Sequence, residues 1–209
     1  MIQLKAYEYI LHNSRNDSSS IHCNWVAVDD NFSMIVSALQ QEVIGLSNTV
    51  LITGVGKVNA TMVLVDHILT QSPKLIINYG TAAKCSRKVE VGKIYEIRKF
   101  VQRDMNAKQL GFETYQTPFG KGMIDTGLPH SSFGRDDLVC GTGDNFWEGD
   151  FQFTEDYDVA DMEAYALASV CEEYKIPFRC FKYISDEGDA SQWEENCKKG
   201  VELFKEYVK

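Results

Sequence analysis

Apolar and polar positions change period repeatedly along the second three-quarters of the chain. Val50–Thr53 is a short apolar run that meets Gly54. Val58, Met62, Val65 and Leu69 then recur at helical spacing, which predicts a helix over Lys57–Gln71. Lys74–Tyr79 reads as a strand ending at Gly80. Ile94–Val101 mixes β-branched, aromatic and charged residues, as a strand with one solvated face does. Leu138–Gly141 predicts another short strand. Ala164, Leu167, Ala168 and Cys171 form the stripe of a helix over Asp161–Lys175. Pro177–Ile184 is strand-like and breaks at Asp186–Gly188. Ser191 is placed to cap a last helix carrying Trp193, Cys197, Val201, Phe204 and Val208.

Alternating strands and helices imply an α/β domain with a substantially parallel sheet. Ligands of such sheets sit beyond the carboxyl ends of the strands. Four segments therefore fall on one rim: Gly54–Gly56, Gly80–Ala83, Gly141–Phe146 and Ser185–Asp189. Before residue 50 the pattern is weaker. The best strand there is Val26–Val28, leading into Asp29 and Asp30. The serines at 18–20 suggest a surface loop, and no repeat or low-complexity tract is visible.

With 209 residues the chain is expected to be one domain, large enough to need no disulfide or metal staple. A net charge of −9, with basic residues no more clustered than Lys198 and Lys199, argues against nucleic acid or an anionic membrane as partner. No stretch reaches the roughly 18 apolar residues of a membrane span. The N-terminus carries Glu8 in its apolar part and lacks a small-residue cleavage site, so a signal peptide is not expected. The six cysteines then read as reduced, mostly buried thiols, and the expected compartment is the cytoplasm.

Several chemistries fail on spacing. Gly54-Val-Gly56-Lys57 invites a phosphate loop, but position 51 is Leu and position 58 is Val, so neither the first glycine nor the magnesium-binding hydroxyl is present. A dinucleotide turn needs Gly at 59, which is Asn. His12, His22, His67 and His130 are unpaired at helical spacings, no Cys-x-x-Cys occurs, and a Gly-x-Ser-x-Gly elbow is missing. No cofactor or metal is implied. Two acidic residues lie on the predicted rim, Glu163 opening a helix and Asp186 following a strand. Singly these are dipole and turn residues. Together they suit glycosidic bond cleavage, where carboxyl groups flank an oxocarbenium-like transition state.

Six segments in order carry a family resemblance: Ile52-Thr-Gly-Val-Gly-Lys-Val-Asn-Ala60, Ile77-Asn-Tyr-Gly-Thr-Ala-Ala83, Val91-Gly-Lys-Ile94, Gly141-Thr-Gly-Asp-Asn-Phe146, Asp161-Met-Glu-Ala164 and Ile184-Ser-Asp186. They resemble the nucleoside phosphorylase/nucleosidase superfamily, and within it the 5'-methylthioadenosine/S-adenosylhomocysteine nucleosidases. Val101-Gln-Arg-Asp-Met105 with Leu110-Gly-Phe112 is similar to a bacterial subgroup. The match is clearest over 50–206.

The resemblance implies a single nucleoside phosphorylase-like α/β domain over 1–209, with a mixed, partly closed sheet flanked by helices. It also implies a homodimer. Asp186 would protonate adenine N7 as the base leaves, which calls for a desolvated carboxyl that holds its proton near neutral pH. Glu163 would accept hydrogen bonds from ribose hydroxyls, and Met162 would lie against the ribose. Phe146 would stack on adenine while the backbone of Trp147 reads its edge. Thr81 would stand near the nucleophile. Phe112 and Pro118 would reach into a neighbouring subunit's 5'-substituent pocket.

Two departures stand out. Ala83 and Lys84 replace a small-residue turn. The early Ala-x-x-Glu-type segment, whose Glu activates water in the family, has no close match; the candidates are Asp29, Asp30 and Glu8. Arg103 and Asp104 read as an ion pair shaping a loop. Asn78 stands where hexameric purine phosphorylases carry Arg, which favours water over phosphate as the attacking group. The expected activity is hydrolysis of an adenine nucleoside with release of adenine. The alternatives are a phosphate-dependent purine nucleoside phosphorylase and a nucleoside-binding protein without catalysis.

Overall fold

A computed structural model of the chain describes residues 32–127, 135, 137–149 and 156–208. Among them nine strands form one mixed sheet. β1 (Ser33–Ser37) pairs in parallel with β2 (Val50–Ile52) and with the first half of β3 (Leu75–Lys84). β9 (Phe178–Asp186) runs parallel to β3 along nearly its whole length. The end of β3 also pairs antiparallel with β8 (Val159–Asp161), which continues the sheet to β7 (Val139–Thr142), β5 (Lys99–Gln102) and β6 (Met123–Asp125). β4 (Ile94–Ile97) pairs antiparallel with β9 on the far side. β4 and β5 are separated only by Arg98, so the chain itself bridges the two arms and the sheet is partly closed.

The predicted strand Ile94–Val101 is thus two strands, because its halves bond to different neighbours. β3 runs through Gly80 to Lys84 instead of stopping there. At Gly80 the backbone runs beside two charged groups: a Cβ there would be in ordinary contact with Lys182 Nζ at 3.4 Å and Glu42 Oε1 at 3.6 Å. β9 likewise continues through Asp186. Between Ala82 and Ala83 its register slips by one residue, so that Ala83 faces Asp186 and Ser185 is the extra residue of a bulge.

Helices α1 (Lys57–Gln71) and α2 (Ala164–Tyr174) pack together over one face of the sheet. The buried side of α1 is Ala60, Leu64 and Ile68, set against Val36, Ile76 and Leu167. Most of the stripe that announced this helix faces outward: Val58, Met62 and Leu69 are each 66% exposed, while Val65 is partly buried against the core. On the opposite face Tyr79, Phe181 and Phe204 form a second core, with Tyr79 and Phe204 stacked at 4.3 Å.

The C-terminal helix is shorter than its pattern predicted. α3 (Ala190–Asn196) ends before Gly200, and α4 (Val201–Phe204) begins after it. A side chain at Gly200 would lie within 2.6 Å of Tyr183 and of the Tyr79 hydroxyl, so backbone and sheet meet there. The cap of α3 is Asp189, whose carboxylate accepts from the Ser191 and Gln192 N–H groups, not Ser191 itself. The stretch Val26–Asp30 lies outside the described residues, as does Glu8. Cys85, Cys140, Cys171, Cys180 and Cys197 are free thiols and buried. No helix among the described residues is long and apolar enough to cross a membrane.

Candidate active site

The four rim segments do converge. A cavity of about 250 Å³ opens at the carboxyl ends of β1, β3 and β9, and Val55, Thr81, Phe146 and Asp186 contribute to its wall from the four predicted stretches. Trp147, Met162 and Glu163 line it too, so six of the eight residues expected to bind or react with substrate share the wall with Asp186 and Thr81 counted among them. Phe112 and Pro118 do not line this chain's own cavity. They sit in the 103–122 loop, where Phe112 packs edge-on against Phe119, itself 98% exposed.

Asp186 closes β9 and is buried. Its Oδ2 accepts from the Ser185 hydroxyl at 2.7 Å and its Oδ1 from the Gly188 N–H at 2.9 Å. Burial pushes the carboxyl above its ordinary value, against the downward pull of those two bonds. The desolvation that an acid of this kind requires is therefore built into the strand end.

Glu163 stands at the N-cap of α2, also buried, with Oε1 accepting from the Gly56 N–H at 2.9 Å. This bond ties the Gly54–Gly56 turn to the helix and explains why the turn is there: Gly56 has a positive φ of 93° and meets Asp144 on its other side. Burial, reinforced by nearby Asp161, pushes the Glu163 carboxyl up to about 8. Asp161 itself is paired with the buried Lys182 at 2.8 Å. Burial works to raise it, yet Lys182 and the Thr142 hydroxyl hold it below its ordinary value. The cavity floor thus carries a fixed ion pair beside a protonatable carboxyl.

The structure adds a carboxylate that sequence reasoning missed. Glu42 lies in a 3-10 turn (Gln40–Val43) immediately after β1, is 3% exposed and lines the cavity. Oε1 accepts from the Thr81 N–H at 2.8 Å and the Thr81 hydroxyl at 2.7 Å. Oε2 accepts from the Ser37 hydroxyl at 3.1 Å and the Leu39 N–H at 3.2 Å. The signal was present: Met34-Ile-Val36 is an apolar run, and Ala38-Leu-Gln-Gln-Glu42 follows it. Val26–Val28, equally short and followed at once by two aspartates, carries the stronger local signal.

Arg103 and Asp104 shape a loop, but not by pairing with each other. Arg103 donates to the Asn145 side chain at 3.0 Å and to the Asn145 carbonyl. Asp104 pairs with Lys57 at 2.6 Å and accepts from the Asp144 N–H at 2.9 Å. Together they hold the segment that presents Phe146 and Trp147. Asn78 is spent on structure: its amide donates to the Val36 carbonyl, and its oxygen accepts from the Cys180 thiol. Lys84 forms an ion pair with Glu187 at 2.6 Å, beside Asp186 and away from Glu42.

The fold and this arrangement of buried carboxyl groups around an apolar cleft define the class: residues 148–209 match the phosphorylase superfamily model. The 5'-methylthioadenosine/S-adenosylhomocysteine nucleosidase of Anoxybacillus flavithermus is 30% identical over 159 residues, covering 67% of this chain and 68% of the relative. The chain belongs to this nucleosidase family. The namesake enzyme of Haemophilus ducreyi is 28% identical over 153 residues, 66% of each chain. Among solved structures, a Helicobacter pylori MTAN mutant with 5'-methylthioadenosine in its active site superposes with a TM-score of 0.73 at 16% identity. That match covers 85% of this chain and 98% of the other.

Proposed function

We propose that this chain hydrolyses the N-glycosidic bond of an adenine nucleoside bearing a 5'-thio group, such as 5'-methylthioadenosine or S-adenosylhomocysteine. The observation that carries the reading is the contrast between two buried carboxyl groups in one cavity. Asp186 is driven toward its protonated form by burial. Glu42 faces four hydrogen-bond donors, two on each oxygen. These surroundings support Asp186 as the acid and Glu42 as the base.

In the reaction Asp186 gives its proton to purine N7 as the C1'–N9 bond breaks, and the bonding electrons leave with a neutral base. Water forms the new C1'–O bond and passes a proton to Glu42. Exchange with solvent then resets both carboxyl groups. Glu163 accepts hydrogen bonds from the ribose hydroxyls, each of which draws its raised carboxyl back toward ionisation. Met162 lies against the sugar, Phe146 stacks on the base, the Trp147 backbone reads the purine edge, and Thr81 holds Glu42 beside the water. Leu39 and Val55, apolar members of the wall, favour a thioether over a charged 5' group.

Water is preferred to phosphate on electrostatic grounds. The N–H and O–H of Thr81, donors that a phosphate would need, already serve the Glu42 carboxylate. A dianion placed there would face a like charge. Asn78 offers no cation, and the Arg103 guanidinium is engaged with Asn145.

The working unit we infer is a homodimer of single-domain subunits, in the cytoplasm. Support comes from the apolar outer stripe of α1 and from the exposed loop bearing Phe112 and Pro118, a segment suited to complete the 5' pocket of a second copy. The buried free thiols suit a reducing compartment. The test is chromatography of 5'-methylthioadenosine incubated with the protein, with and without phosphate. Adenine and free methylthioribose in both tubes are expected. Adenine only with phosphate would make it a phosphorylase, and adenine in neither tube would leave a binding protein.

A further inference from the structure

Glu42 is not held by its own neighbourhood alone. The Thr81 hydroxyl that donates to it also accepts a hydrogen bond, at 3.0 Å, from the indole N–H of Trp193. Trp193 sits on α3, half-buried, with its side chain in the cavity wall. A chain of three side chains therefore runs from the C-terminal region to the carboxylate behind β1.

Its direction is fixed by chemistry. Indole nitrogen is a donor only, so Thr81 Oγ must accept from it. The hydroxyl's single proton is then free to point only at an acceptor, and Glu42 Oε1 stands 2.7 Å away. The same oxygen takes the Thr81 N–H at 2.8 Å, while Oε2 has the longer contacts, 3.1 and 3.2 Å. A carboxylate offers about four lone-pair sites, and all four are used. An attacking water can hand its proton to Glu42 only if one donor gives way. The anchored Oε1 and the looser Oε2 make the second oxygen the one that exchanges a partner.

We propose that Trp193 is a positioning residue of the hydrolytic step: through the Thr81 hydroxyl its indole N–H keeps Glu42 Oε1 anchored and leaves Oε2 to receive the proton of water. α3 begins four residues after Asp186, so one short helix follows the acid and steadies the base. This rests on the hydrolase reading of the cavity and adds to it a residue that touches the reaction only through two others.

The experiment compares wild-type protein with W193F, T81V, T81S and the W193F/T81V double variant, measuring adenine release from 5'-methylthioadenosine, melting temperature and the Kd for adenine. W193F should lower kcat roughly fivefold to tenfold, the value of one hydrogen bond in the transition state, with KM and adenine Kd nearly unchanged. T81S should retain most of kcat. The double variant should be no slower than T81V, because both changes cut one chain. A wild-type kcat in W193F, or losses that multiply in the double variant, overturns the proposal. Should W193F fail to melt cooperatively, the link is read on the intact indole. The Trp193 N–H proton resonance should move upfield in T81V and stay in T81S; an unmoved signal in T81V refutes the relay. If the wild-type protein releases no adenine while that resonance behaves as expected, the hydrolase reading fails and the hydrogen-bonded chain stands.

Discussion

Replacing Asp186 by Asn removes a proton donor and little else. The amide oxygen can still accept from the Gly188 N–H, as Oδ1 does at 2.9 Å. The amide nitrogen would face Ser185 Oγ, which now donates to Oδ2. That hydroxyl has a second acceptor in the Ala82 carbonyl at 3.4 Å, so it can turn and accept from the new NH2. Every buried polar group keeps a partner, and the fold is expected to survive. Burial raises the native carboxyl, so a neutral side chain removes a desolvation cost at neutral pH. The melting temperature of D186N should therefore match or exceed wild type at pH 7.

Sign and window follow from linkage. A carboxyl raised by folding favours the protonated form in the native state. Its stabilising contribution is complete below the unfolded value and is lost as pH rises through the folded value. Any advantage of D186N should shrink on acidification. Catalysis should respond quite differently. General acid catalysis contributes roughly 10²- to 10⁴-fold, or about 3–5 kcal/mol of barrier. Adenine release from 5'-methylthioadenosine should fall by that factor, whereas a riboside with a p-nitrophenolate leaving group, which needs no proton, should be cleaved by D186N and wild type at similar rates. Adenine release within tenfold of wild type would refute the assignment. So would an equal loss on both substrates in a folded variant.

Three further outcomes are expected. E42Q should cost a similar 10²- to 10⁴-fold in kcat while adenine still binds by calorimetry; a kcat within tenfold of wild type would return attention to Asp29, Asp30 and Glu8. E163Q relieves a buried carboxyl pushed up to about 8, so its melting temperature should exceed wild type most above pH 8. That difference should vanish as pH falls toward the ordinary carboxylate range, and a gap independent of pH would contradict the burial argument. M62E places a charge in the outer stripe of α1 and should convert the proposed dimer to monomer in sedimentation with little change in monomer folding, as Met62 is already 66% exposed; a dimer unaltered by M62E would move the interface elsewhere, and a monomeric wild type would refute the dimer.

The sequence pattern located the rim because strand ends and glycines are local signals. Asp186, Glu163, Met162, Phe146, Trp147 and Thr81 all sit on it. What local pattern does not encode is which oxygen faces which donor across the sheet. Glu42 and Trp193 acquire their meaning only when β1 and α3 are brought against Thr81, 39 and 112 residues away. The spacing along α1 is helical, yet Val58, Met62 and Leu69 point outward because Ala60, Leu64 and Ile68 form the side that is buried. The break between α3 and α4 is invisible for a related reason: helical spacing continues across it, and Gly200 itself keeps helical backbone angles. The strands run through Gly80 and as far as Asp186, although glycine and aspartate usually end strands, because pairing of β3 with β9, and then with β8, carries them onward.

The bulge at Ser185 decides which side chain the ladder delivers. Strand neighbours alternate between faces, so without the extra residue the position opposite Ala83 would belong to Ser185, and Asp186 would turn away from the cleft. The acid is thus chosen by counting residues rather than by its own side-chain contacts. Deleting Ser185 would remove the bulge yet leave Asp186 opposite Ala83, at the cost of the hydroxyl that donates to its Oδ2; inserting a residue after Asp186 would not restore that bond. For anyone redesigning this scaffold, reading frame within the strand is a control separate from composition: shifting the bulge by one position re-addresses the cleft without altering a single side chain.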